Sequence, residues 1–242
     1  MIRVIFAILA FAATLFSQQF VPPAVNRVKI TIDTTWKFYR GDATNAHTAS
    51  FNDASWTTVH LPHSAQYLSN LGNTSVYRGI AWYRKHIRLG PAFIGRRVTL
   101  FFEGAGTVAQ VWINGNALAT HYGSYNPFCH DITPYCTFDN SDIVIAVRLD
   151  NTYQNQVPPE KPDNSGLDYC IFGGIYRDVY LIITDSVYIP EAVHDWENGF
   201  ADQGGQFITY SNVSAAAATI KVDSWIKNSG AAAVDNAGDG EI

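Results

Sequence analysis

Apolar and polar residues alternate with a period of two along much of this chain. Val28, Ile30 and Ile32 are separated by polar neighbours. Ile80, Trp82, Arg84 and His86 share one parity, and Ala81, Tyr83, Lys85 and Ile87 share the other. Val98, Leu100 and Phe102 repeat the pattern, as do Ile143, Ile145, Val147 and Leu149, and then Val179, Leu181 and Ile183. A period of two puts successive side chains on opposite faces of an extended strand. Val111-Trp112-Ile113 runs into Asn114-Gly115 and on to Asn116-Ala117-Leu118. Asn-Gly between apolar runs predicts a two-residue hairpin, because both central residues accept positive φ. No convincing helical period stands out. Strands without intervening helices predict an all-β sandwich or barrel.

The pattern loosens after Ile183. Thr184 to Pro190 reads as a linking strand with a proline stop. Gln206 to Tyr210 and Thr219 to Ile226 read as further short strands, and Asp235 to Gly240 as a turn. The segment 187–242 has 56 residues, about half of the roughly 100 that an immunoglobulin-like sandwich needs. It reads as a partial second sandwich. A small extension packed on the first domain is the other reading.

The N-terminus carries a different signal. Arg3 precedes Val4 to Phe16, thirteen residues without charge. That is short of the about 20 residues of a membrane span and fits the apolar core of a secretory signal peptide. The expectation is a signal peptide over 1–17, cleavage near Ser17, and a secreted or periplasmic mature chain without a membrane span. An uncleaved anchor or a buried first strand is the competing reading. Export implies an oxidising compartment. Of the three cysteines, Cys129 and Cys136 are close enough in sequence to bridge a loop, although spacing alone does not pair them. Asn73-Thr74-Ser75 and Asn212-Val213-Ser214 match the glycosylation pattern.

Composition narrows the function by exclusion. Hydrophobic residues are 47% and aromatics 14%, against 15% charged and a net charge of -5. That balance excludes a nucleic-acid binder, which needs a basic face to neutralise phosphates. His60 and His63 flank Leu61-Pro62 with no third ligand nearby, so they read as structural. No cofactor loop or metal set is evident: no Gly-rich phosphate loop, no completed zinc quartet. Asp235 to Gly240 superficially resembles a calcium loop, but Ala237 occupies a ligand position. Trp36, Trp56, Trp82 and Trp112 lie in or beside predicted strands and read as core between two sheets, with an exposed sugar-stacking platform as the other reading. Arg84 and Arg177 read as structural, pairing with carboxylates such as Asp178 or capping carbonyls.

A series of motifs then occurs in order. Trp36-Lys37-Phe38 with Gly41-Asp42 is followed by Phe51-Asn52-Asp53-Ala54-Ser55-Trp56 and Val59-His60-Leu61-Pro62-His63. Tyr77-Arg78-Gly79-Ile80-Ala81-Trp82-Tyr83-Arg84-Lys85, Leu100-Phe101-Phe102-Glu103-Gly104 and Val111-Trp112-Ile113-Asn114-Gly115 come next. Tyr125-Asn126-Pro127-Phe128, Asp131-Ile132-Thr133, Val147-Arg148-Leu149-Asp150-Asn151 and Phe172-Gly173-Gly174-Ile175-Tyr176-Arg177-Asp178-Val179 complete it. Over residues 30 to 185 the series resembles the N-terminal sugar-binding domain of glycoside hydrolase family 2, the β-galactosidase-like enzymes. The segment 187–242 is similar to the start of the immunoglobulin-like domain that follows in that family.

The resemblance implies a galactose-binding-domain-like jelly-roll β-sandwich over 18–186 and a truncated immunoglobulin-like sandwich over 187–242. It also implies that the catalytic glutamates sit on a barrel domain. This chain has five glutamates: Glu103, Glu160, Glu191, Glu197 and Glu241. None follows an asparagine, where the family's acid/base stands, and no barrel pattern appears, so the catalytic barrel is absent from this chain. Asn151 to Tyr169 reads as a long loop with Pro158-Pro159 and Ser165-Gly166, and loops of such length are usually functional or disordered. In the resembled family this loop reaches the active site, and Asp168 falls where an acidic residue contacts the sugar. A carboxylate suits that role, accepting sugar hydroxyls in charge-assisted bonds; capping the turn is the other reading of Asp168. The expected partner is a carbohydrate, a β-glycoside. The expected function is the sugar-binding portion of a secreted O-glycosyl hydrolase, with a stand-alone lectin-like module as the alternative.

Overall fold

The computed structural model describes residues 18–20, 26–66, 77–152, 157, 172–193 and 205–233. The predicted signal segment, Asp168, Cys170, Asn73 and the Asp235–Gly240 turn lie outside the described residues. Two β-sheets form a sandwich. The larger sheet runs in the order β4 (Thr57–Val59), β3 (Trp36–Arg40), β5 (Ile80–Leu89), β11 (Ile143–Asp150), β7 (Val108–Ile113) and β8 (Asn116–Ala117). Strand β1 (Gln18–Phe20) pairs in parallel with β5, and β9 (His121–Tyr122) pairs with β7. The smaller sheet runs β10 (Phe128–Asp131), β6 (Arg97–Phe102), β12 (Val179–Thr184) and β2 (Arg27–Thr31). From β5 onward each long strand crosses to the other sheet before the next, the jelly-roll habit that places neighbours far apart in sequence. The helices among the described residues are two single 3-10 turns, Pro91–Phe93 and Thr133–Tyr135.

Parity along the strands decides the layers. Ala81, Tyr83, Ile87 and Leu89 of β5 face Val111, Ile113, Val147 and Leu149 neighbours and the smaller sheet's Val98, Leu100, Phe102, Leu181 and Ile183, all within one buried cluster. Burying such side chains contributes about 1.5–3 kcal/mol each before entropy is set against it. Phe128 stacks on Phe102 at 4.6 Å and on His121 at 4.1 Å between ring centroids. Asn114 and Gly115 take φ of 51° and 85°, the left-handed pair that the two-residue hairpin between β7 and β8 requires.

One expectation is corrected. Of the four tryptophans read as lying between the sheets, Trp36 does. Trp56, Trp82 and Trp112 instead form a second cluster with Ala146. Trp82 has the opposite parity to Tyr83, and Trp112 to Ile113, so both point out of the sandwich, where the excursion 41–56 covers them. Trp82 and Trp112 stack at 5.4 Å, and Trp82 Nε1 donates to Asp42 Oδ1 at 2.8 Å. Arg84 is structural as expected, and its carboxylate is that of Asp53: its Nε donates to Asp53 Oδ2 at 2.7 Å, and the side chain has no exposure. Arg177 is exposed, its guanidinium 5.6 Å from the Tyr176 ring centre. Cys129 and Cys136 are not joined to each other. Burial pushes the Cys136 thiol up to about 12.

Beyond β12 the chain turns back across the outer face of the smaller sheet. Arg27 donates to the Ile189 carbonyl at 2.8 Å and pairs with Glu191, and the Arg97 guanidinium lies 4.3 Å over the Tyr188 ring. Strand β13 (Val187–Tyr188) pairs with β16 (Lys227–Asn228), and β14 (Gln206–Ser211) pairs with β15 (Thr219–Ser224). The β14–β15 hairpin exposes Ile208, Tyr210, Ile220 and Val222 on one face.

His86 ties β5 to its surroundings. Its Nε2 lies 3.0 Å from Asp53 Oδ2 and its Nδ1 2.5 Å from Asp142 Oδ2. The Asp53 hydrogen bond raises the imidazole's pKa; burial opposes it, and Asp142 adds to the rise. Burial would raise Asp53, but the bonds from His86 and Arg84 hold it below its usual range. A raised histidine contributes stability that is complete below its unfolded value of about 6.5 and is lost as pH climbs through the folded value. A lowered aspartate contributes stability that is lost only in acid. The His86 contribution, read as the difference in melting temperature between the chain and His86→Gln, is therefore expected to shrink as pH rises from about 6 to 9. Thermal melts across that range check it.

Candidate functional site

The two points, or feet, between which the chain segment carrying Asp168 runs are both described by the structure. The first is Asp150-Asn151-Thr152 at the end of β11. Asp150 Oδ1 accepts from the Thr152 amide at 2.9 Å and from Thr152 Oγ1 at 2.6 Å, a short side-chain turn that bends the chain out of the sheet. Asn151 is buried, with 1% exposure. Its Oδ1 accepts from Thr107 Oγ1 at 2.7 Å, its Nδ2 donates to the Tyr77 carbonyl at 3.0 Å, and its amide donates to the Gly79 carbonyl at 3.0 Å. One side chain thus joins β11 to the segments entering β5 and β7. Ser124 Oγ reaches Thr107 Oγ1 at 3.3 Å and extends the network.

The second foot is Phe172-Gly173-Gly174. The Ala65 amide donates to the Gly173 carbonyl at 2.8 Å, and the His63 amide to the Ile175 carbonyl at 2.7 Å. Gly106 and Gly174 exchange amide bonds on the other side, at 3.1 and 3.4 Å. The strand is therefore squeezed between two backbones. Gly174 has φ of +132°, and a Cβ there would stand 2.4 Å from the His63 carbonyl oxygen. A Cβ on Gly173 would stand 2.8 Å from Asn151 Cβ. The Gly-Gly pair is what allows both feet to lie side by side.

Two kinds of titratable group stand around these feet: the Asp150 carboxylate of the first foot, and buried groups held toward their uncharged forms. His63 Nδ1 lies 2.9 Å from the Tyr83 hydroxyl. Burial lowers His63 and raises Tyr83, favouring the uncharged form of each. Burial pushes His121 down to about 4. Such a set binds and orients the backbone; it moves no proton near neutral pH. The pair His60 and His63 is not a ligand pair: His60 Nδ1 accepts from the Thr35 amide at 3.4 Å, while His63 turns to Tyr83. No group of three His, Cys, Asp or Glu among the described residues is arranged to hold a metal ion. No helix among them is long and apolar enough to cross a membrane.

Sequence reading passed over Asn151, Thr107 and Ser124. Nothing local marks an asparagine at the end of a strand as buried; only the sheet register brings Thr107 to it. Asp168 itself lies outside the described residues.

The model of the glycosyl hydrolases family 2 sugar binding domain matches residues 24–185. The chain belongs to glycosyl hydrolase family 2. A β-galactosidase of Thermoanaerobacter pseudethanolicus is 33% identical over 168 residues, 69% of this chain and 22% of its own length. A β-glucuronidase of Formosa agariphila is 29% identical over 213 residues, 84% of this chain and 21% of its own. The structure of Bacteroides uniformis β-glucuronidase 2 covalently bound to cyclophellitol-6-carboxylate aziridine matches with a TM-score of 0.72 at 31% identity. It covers 84% of this chain and 22% of that one. The chain thus spans about a fifth of the length of the family 2 relatives it matches.

In this family 2 domain Gly174→Ala is expected to lower stability by about 1–3 kcal/mol or more, since the backbone there is left-handed and the space is filled. Gly95→Ala, with positive φ but nothing within 4 Å, isolates the backbone part of the cost. Equal denaturant midpoints for the two variants would remove the close approach from the account.

Proposed function

We propose that this chain is the N-terminal sugar-binding portion of a secreted family 2 enzyme that hydrolyses O-glycosyl bonds, with a β-galactoside as substrate. The match of the family's sugar binding domain over residues 24–185 carries the reading. The β-galactosidase among the relatives supports the substrate class. The catalytic carboxylates belong to a barrel outside this chain. Retaining hydrolysis needs two carboxyl groups about 5 Å apart, one attacking the anomeric carbon and one protonating the leaving group. The domain assignment is a sandwich over 18–186 followed by the beginning of an immunoglobulin-like module over 187–242. Asp168, on the loop whose feet Asn151 and Gly173 hold together, accepts substrate hydroxyls. It is a binding residue, not an acid/base.

Residues 18–242 alone are expected to release no nitrophenol from nitrophenyl galactoside or glucuronide above buffer. In the parent enzyme Asp168→Asn should keep the melting temperature and lower kcat/KM by about tenfold to hundredfold, the value of a hydrogen bond to a charged group, roughly 1.5–3 kcal/mol. Hydrolysis by the isolated chain overturns the division of labour; unchanged kinetics in Asp168→Asn reduce that residue to a turn cap. A lectin-like module would instead bind galactosides fully in isolation, without any downstream barrel in the gene.

Export rests on Arg3 and the apolar run Val4 to Phe16. N-terminal sequencing of secreted material should begin near Gln18. An intact Met1 on a soluble intracellular species would overturn it.

A further inference from the structure

The outer face of the larger sheet is covered over only half its width. Arg84 draws the excursion 41–56 onto the rows that carry Trp112, Ala146 and Arg84 itself. Of the two rows nearer the end where Asp150 stands, the first passes beneath the edge of that cover at Trp82, which is 3% exposed and bonded to Asp42, and the second lies beside it. In the first, Tyr39, Trp82, Arg148 and Gln110 stand in register across β3, β5, β11 and β7. In the second, Ile80, Asp150, Val108 and Tyr122 stand in register across β5, β11, β7 and β9.

Three properties of this strip point the same way. Its two ends are aromatic and open: Tyr39 is 42% exposed and Tyr122 58%. Tyr39 is held by stacking on Trp56 at 5.4 Å, so its ring is ordered before any ligand arrives. Four strand spacings separate them, roughly 19 Å at about 4.8 Å each, room for several pyranose rings laid end to end. Between them sits a charged group that is only loosely paired. Arg148 meets Asp42 at 3.4 Å and Asp150 at 3.6 Å, longer than the about 2.7–2.9 Å of a charge-assisted bond. Hydroxyl groups can therefore compete for its five N–H donors and for the carboxylates, with the partly buried Gln110 amide beside them.

We propose that this strip binds a neutral oligosaccharide, at a site separate from the Asp168 loop. Aromatic ends suit the apolar faces of sugar rings, and a guanidinium between carboxylates suits paired hydroxyls. Two carboxylates against one guanidinium leave the strip one negative charge, which disfavours uronate-containing glycans. A shallow strip buries little of its ligand and binds weakly, as contact area must offset the cost of association. Its use is to hold a polymeric substrate near the enzyme, beyond the rings that enter the active site.

The test is calorimetric or NMR titration of the whole chain with galactotetraose, cellotetraose and xylotetraose, and with tetragalacturonate as the charged control. At least one neutral tetrasaccharide should saturate the protein in the millimolar range or below, and tetragalacturonate should bind at least about tenfold more weakly, which is about 1.4 kcal/mol. Tyr122→Ala and Gln110→Ala, neither in the sandwich core, should each weaken binding without moving the melting curve. Arg148→Met should abolish it, and the two milder variants decide the matter if that one does not fold. Asp168→Asn should leave it unchanged, which separates this site from the loop. No saturable binding by any neutral tetrasaccharide overturns the proposal. So does binding that survives Tyr122→Ala and Gln110→Ala together, binding lost in Asp168→Asn, or preference for tetragalacturonate.

Discussion

A guanidinium with no access to water must find its partners inside the protein, and Arg84 finds all of them in one segment. Beyond its bond to Asp53, Nη1 donates to the carbonyls of Ala46 and Thr48, and Nη2 to that of Phe51 at 3.4 Å. The Phe51 ring lies 5.4 Å from the guanidinium carbon. A buried charge left unpaired costs several kcal/mol, so the path of residues 41–56 is set by this one side chain. That path covers Trp56, Trp82 and Trp112 on the outside of the larger sheet. It also decides which half of the face stays open. Asp53 then serves two donors, Arg84 and His86, and through His86 the cover is joined to Asp142 at the start of β11.

A second polar knot governs the far end of the sandwich. Asn151 satisfies backbone and side-chain groups from two segments, while glycines at 173, 174 and 106 let the returning chain pass beside them. Both knots follow one rule: buried polar groups are hydrogen-bonded or they destabilise. They differ in consequence. The Arg84 knot uses charge and shapes a surface. The Asn151 knot is neutral and fixes where a loop begins and ends, independent of pH near neutrality.

Much of this was legible in the sequence, because it depends on local pattern. Alternation placed the strands, and Asn114-Gly115 placed a hairpin whose positive φ values need those residue types. The ordered motifs gave the family, since they combine turn residues and tryptophans at fixed separations. Parity was equally present: Trp82 beside Tyr83 already implied opposite faces. Residue type alone does not say which face of the sheet a tryptophan packs on; parity does.

What the sequence by itself determined is the set of extended segments, their inward and outward faces, and the family to which they belong. Periodicity and turn chemistry act within a few residues and need no partner. What only the tertiary structure decided is who meets whom across long separations. Arg84 takes Asp53 rather than Asp178, Asn151 takes Thr107, and Tyr39 and Tyr122 become the ends of one strip. In a jelly roll the partners come from strands that cross between sheets. Register between distant strands, not proximity in the chain, brings those groups within bonding distance.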